Sequence, residues 1–184
     1  MATKTFSSGD VLTAADTNTY LSNSGLVFVT DSTFSGVASV AIDNCFTPTF
    51  FNYRVVLAIT TGAGGPAQIQ FQMRAGGTPT AGSSYFGYYR GITWTGGNDV
   101  TANNGGSNWF LMRTNGAQWA GGIDFENPRT ASNTFVQSLG CDTSQTWNAG
   151  GYHNSSTQFD GFSFSNSGSS TMAGTVKVYG YRQS

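Results

Sequence analysis

Ala67-Gln-Ile-Gln-Phe-Gln-Met-Arg74 is the stretch whose pattern sets the class of fold. Ile69, Phe71 and Met73 share one parity; Gln68, Gln70, Gln72 and Arg74 share the other. Side chains of an extended strand point alternately to its two faces, so this segment reads as a half-buried β-strand. Just before it, Phe51-Asn-Tyr-Arg-Val-Val-Leu-Ala-Ile-Thr60 is the longest apolar run, which predicts a central strand. Residues 61–66 (Thr-Gly-Ala-Gly-Gly-Pro) separate the two as a loop, and residues 76–82 form the next loop.

Further out, short apolar or aromatic runs recur at 26–30, 37–43, 85–90, 108–113, 122–126, 134–138, 158–164 and 174–182. Asn127-Pro128 forces a turn, and the Gly-rich stretch 91–106 reads as a long exposed connection. About eight to ten short strands with Gly-rich turns and no central helix predict an all-β fold. The expected architecture is a jelly-roll-like antiparallel β-sandwich over residues 25–184. No internal repeat is present, which disfavours propellers and solenoids.

Residues 1–24 have a different character. Thr13 and Asp16 occupy the two ends of a capping box, with Asp in place of the usual Glu, so a short helix is expected from Ala14 to about Leu21. A helix this short does not hold alone in water. Val11, Leu12, Ala15, Tyr20 and Leu21 therefore need another surface. They either fold as an arm onto their own domain or form an anchor that docks on a second protein or packs about a symmetry axis.

Composition narrows the function classes. Only 9% of the 184 residues are charged, against roughly 25% in an average soluble domain. Aromatic residues reach 14%, and glycine occurs 25 times. The surface must then be covered mainly by Ser, Thr, Asn, Gln and Gly, which is unusual for a free monomer and suits a protein fixed in an assembly or one built to survive outside cells. The net charge is −1 and the eight basic residues form no stripe, so nucleic acid is not an expected partner. No apolar run is long enough for a membrane-spanning helix, and no signal peptide opens the chain, so cytoplasmic synthesis is expected. Cys45 and Cys141 then read as two unlinked buried thiols, with a single disulfide as the alternative.

Catalytic equipment is sparse. His153 is the single histidine, the cysteines are not in a CxxC pattern, and no GxSxG occurs, so neither a zinc site nor a serine triad is expected. Asp124 and Glu126 share one face of a predicted strand. That pairing could serve glycoside hydrolysis or Ca²⁺ binding; the simpler reading is a strand-end pair accepting backbone or Arg hydrogen bonds. No catalytic, cofactor or metal residue is assigned. The aromatics are the better lead, because flat rings beside amides and carboxylates suit sugars, subunit contacts and sandwich cores alike. Tyr85 and Trp109, on predicted strands, read as core. Trp94 and Trp147 read as exposed loop residues. Tyr152 and His153 join them as candidate surface contacts, His153 as a loop residue or interface donor.

The leader Phe6-Ser-Ser-Gly-Asp-Val-Leu-Thr-Ala-Ala-Asp-Thr-Asn-Thr-Tyr-Leu21 resembles the opening of tail, fibre and other virion proteins of tailed bacteriophages. The body is similar to a module found at the end of such proteins. The matching stretches are 51–57, 68–78, Ile123-Asp-Phe-Glu-Asn-Pro128, Phe159-Asp-Gly-Phe162 and Gly174-Thr-Val-Lys-Val-Tyr-Gly-Tyr-Arg182. The resemblance covers most of the chain and is poorest over 91–120. It implies a β-rich, homotrimeric, non-enzymatic protein on the exterior of a phage particle. In that picture the first 24 residues attach to other phage structural proteins, and the sandwich faces a bacterial surface glycan or protein. A capsid decoration or head-fibre protein is the alternative, and a free carbohydrate-binding module a further one.

Overall fold

A computed structural model describes residues 7–11, 13–16, 25–61, 67–114, 118–168 and 170–182. Its described residues are almost entirely extended, and they form two antiparallel sheets packed as a β-sandwich. Thirteen strands are present among them, more than the eight to ten expected. In chain order these are β1 (Leu26–Val37), β2 (Ser39–Ile42), β3 (Asn52–Thr61), β4 (Ala67–Ala75), β5 (Thr78–Pro79), β6 (Tyr85–Thr93), β7 (Asn98–Gly106), β8 (Trp109–Thr114), β9 (Gln118–Glu126), β10 (Thr134–Asp142), β11 (Gln145–His153), β12 (Gly161–Asn166) and β13 (Met172–Tyr181). The larger sheet has the order β1-β13-β3-β9-β10-β11-β6-β7. The smaller runs β2-β12-β4, with β5 and β8 both pairing β4.

The alternating segment 67–74 behaves as its pattern requires. Ile69, Phe71 and Met73 are fully buried in β4. The central strand β3 supplies Tyr53, Val55, Leu57 and Ile59 to the same core from the opposite sheet. Between the sheets lies a chain of rings: Phe46, Phe125 and Phe162 approach one another at 5.4–5.8 Å, and Phe71 lies 5.6 Å from Phe164. Burying each such side chain stabilises the fold by about 1.5–3 kcal/mol. Two large buried side chains have their polar tips met: the Tyr85 hydroxyl donates to Thr80 O at 2.9 Å and accepts from Met73 N–H at 2.9 Å. Trp109 Nε1–H donates to Phe86 O and Tyr152 O at 3.2 and 3.3 Å. Tyr85 and Trp109 are thus core residues, as their strand positions implied.

Three sequence expectations are corrected here. Residues 91–106 are not one connection; β6 runs on to Thr93 and β7 fills 98–106, pairing along its length with β6. The segment 145–153, read as loop, is the interior strand β11, held between β10 and β6. Cys141 is exposed and only Cys45 is buried; both are free thiols.

The capping box forms as expected. Asp16 N–H donates to Thr13 Oγ1 at 3.1 Å, and Thr13 N–H donates back to Asp16 Oδ2 at 3.1 Å. The helix is described only over Ala14–Asp16. Val11, at 78% exposure, and Ala15 do not pack on the sandwich, while Leu12, Tyr20 and Leu21 lie outside the described residues.

The strands give the molecule two distinct ends. The leader enters at Leu26, beside Tyr181 at the end of β13, and Arg182 N–H donates to Gly25 O at 3.2 Å. The turns β6–β7 (94–97) and β10–β11 (143–144) lie at the opposite end, where Trp94 N–H donates to Ser144 O at 2.9 Å.

Candidate functional site

The outward face of a solvated antiparallel sheet ordinarily carries polar side chains. The larger sheet departs from that rule. Eleven large apolar side chains are exposed among the described residues. Eight of them stand on this one face: Leu26, Phe28, Val56, Tyr88, Ile92, Val100, Phe135 and Leu139.

The pairing register arranges the face as rows crossing the strands. One row reads Phe28, Tyr179, Arg54, Asp124, Gln137, Gly150, Tyr88, Ala102 from β1 to β7. The next reads Asp31, Lys177, Val56, Gly122, Leu139, Asn148, Arg90, Val100. On the other side of the first row, Glu126, Phe135, Tyr152, Phe86 and Asn104 follow from β9 to β7. In this last row Phe86 stacks on Tyr152 with centroids 5.0 Å apart and planes 8° from parallel, and Phe135 lies 6.2 Å beyond.

Glycines interrupt the relief. Gly150 has no side chain to raise above the sheet and is open above its backbone, whereas the Arg54 guanidinium covers Gly122; a shallow trough of about 610 Å³ opens over β9–β11. Its lining mixes Tyr88, Phe135 and Leu139 with Gln137, Asn148, Asp124 and Glu126. Leu139, 66% exposed, stands directly between Gly122 and Asn148 as a knob beside this trough.

Asp124 and Glu126 do share this face, as their spacing required. Asp124 is engaged: it pairs with Arg54 Nη1 at 3.1 Å and accepts from the Tyr181 hydroxyl at 2.8 Å. The Tyr181 bond and the Asp124 charge together hold the Arg54 guanidinium more firmly protonated than usual. A carboxylate so matched locks β9 to β3 and β13, the structural role expected of it.

Of the four candidate surface contacts, two keep that position. Trp94 is 61% exposed on the β6–β7 turn, and Tyr152 is half-buried in the aromatic row. The other two are corrected. Trp147 is buried because its partners on both sides, Gly140 and Gly91, leave room for the indole, and Trp119 meets it edge-on at 6.3 Å. His153 is fully buried among Tyr85, Phe159 and Trp109, with centroids 4.4, 5.0 and 6.2 Å away. Burial lowers its pKa to about 4, so at neutral pH it is an uncharged ring in an aromatic box.

Sequence reasoning missed Val56, Leu139 and Phe135. The signal was present in part: in 55–59 both parities are apolar, which marks a strand covered on both faces. No group of three or more His, Cys, Asp or Glu suited to a metal occurs among the described residues. Comparison with known protein families, curated proteins and solved structures gives no match.

Proposed function

We propose that this chain is a non-enzymatic structural component of a tailed-bacteriophage particle, a tail fibre or tail adhesin that works as a homotrimer. The observation that carries the reading is the apolar outer face of the larger sheet in a chain with 9% charged residues. Exposed apolar surface of that extent belongs to proteins that function in contact with others. The polarity of the sandwich supports the rest. Residues 1–24 join at one end and attach to other phage proteins, with Val11 and Ala15 exposed for the purpose. The opposite end, with Trp94 on its turn, faces the bacterial surface glycan or protein.

Antibody labelling of intact particles tests the proposal. The expected result is label confined to the tail, at copy numbers in multiples of three. Label over the capsid would make the chain a decoration or head-fibre protein instead. Absence from purified particles would overturn the virion reading and leave the free carbohydrate-binding module.

A further inference from the structure

The outer face of the larger sheet has four properties that bear on what covers it. The first is size. Eight strands spaced about 4.8 Å apart put β1 and β7 roughly 34 Å from each other, and four outward residues along each strand span roughly 20 Å. The face therefore covers roughly 700 Å² in projection, close to the ~800 Å² per partner of a standard protein interface. The second is charge. The outward positions of this face carry Arg54, Arg90 and Lys177 against Asp31, Asp124 and Glu126, three of each sign. A neutral face selects neither an acidic nor a basic partner, and it meets its own kind without net repulsion.

The third is relief. The Leu139 knob and the trough floored by Gly150 lie on the same surface, so one copy offers both the projection and the recess that a second copy needs. The fourth is composition: Phe135 and Leu139 stand exposed on β10, near the middle of the sheet, with Tyr88 two strands away on β6, and aromatic side chains are enriched in interfaces.

We propose that this face is where copies of the chain meet, with Leu139 of one copy seated in the glycine-floored trough of its neighbour. The inference deepens the self-association in the reading above and does not depend on where in a particle the protein sits. A fibre or adhesin built this way hides the large sheet at the contact and turns the polar outer surface of β2, β12 and β4 to solvent. Gln68, Gln70, Gln72 and Arg74 lie on that surface.

Light scattering coupled to size exclusion, on the full chain at micromolar concentration, reads the result. The wild type should elute at a multiple of 19.4 kDa. Leu139→Arg plants a charge in the contact, and Gly150→Arg fills the trough. A Cβ at Gly150 meets only Val136 O, at 3.6 Å, so the second variant is compatible with the folded subunit. Each should raise the dissociation constant by at least roughly thirtyfold, as loss of a central contact does. Ala41→Arg, on the exposed side of β2, should leave the mass unchanged. Far-UV circular dichroism confirms that each variant is folded. A wild type that stays at 19.4 kDa overturns the proposal, as do two folded variants that assemble like the wild type. So does a monomer whose binding to a maltodextrin or chitooligosaccharide probe is lost in Leu139→Arg; the face would then belong to a saccharide. None of these outcomes depends on particle labelling, so the two proposals fail separately.

Discussion

His153 shows how a residue type misleads when its surroundings are unknown. A single histidine in a polar, Gly-rich segment reads as a surface contact, yet Tyr85, Trp109 and Phe159 enclose it. Neither ring nitrogen has a hydrogen-bond partner among the described residues, so the imidazole serves as an aromatic plate. Its protonation therefore opposes folding. The folded pKa lies near 4 and the unfolded value near 6.5, so the unfolded chain takes up the proton first as the pH falls. Stability from this residue is complete above about pH 6.5 and declines toward pH 4, by up to about 3 kcal/mol. His153→Phe should flatten that decline, as read from urea melts at pH 7 and pH 4.5. An unchanged slope would place the sensitivity elsewhere. Trp147 was illegible for a related reason: its burial depends on Gly140 across the β10–β11 hairpin and on Gly91, which is distant in sequence and adjacent only in the sheet.

At the scale of elements, legibility followed the strength of local pattern. β4 could be read residue by residue because its alternation is strict, and β3 because its apolar run is long. β7 (Asn-Asp-Val-Thr-Ala-Asn-Asn-Gly-Gly) and β11 (Gln-Thr-Trp-Asn-Ala-Gly-Gly-Tyr-His) carry residues of low strand propensity. They are strands because neighbours pair with them, and tertiary pairing outweighs propensity in sheets. The outer face of the large sheet was legible in fragments only, since its rows join residues from eight strands. Glycines within these strands divide into two kinds. A Cβ on Gly140 would stand 2.5 Å from Trp147 Cζ2 and 2.7 Å from Ala120 O, whereas one on Gly150 meets nothing closer than 3.6 Å. Gly140→Ala should cost about 1–3 kcal/mol through strain against the backbone and the indole. Gly150→Ala should stay within about 0.5 kcal/mol in the dissociated subunit. Chemical denaturation of the two variants side by side checks the contrast; equal losses would mean that Trp147 shifts freely and is not locked by the glycine.

Across the whole molecule, the first and last strands lie side by side at the margin of the large sheet, β1 on β13, antiparallel from Leu26↔Tyr181 to Val37↔Met172. That neighbourhood has a mechanical meaning for anything held by its leader. When residue 25 is fixed and the load is applied at the Trp94 end, tension runs along β1 and shears it against β13, so the ladder's hydrogen bonds resist together. When the pull is between residues 25 and 182, which leave from the same end, the pair unzips one rung at a time. Single-molecule stretching through the first geometry should therefore rupture the domain at distinctly higher force than through the second. A domain wired in this way is stiff toward drag on the Trp94 tip and weak to a pull between residues 25 and 182.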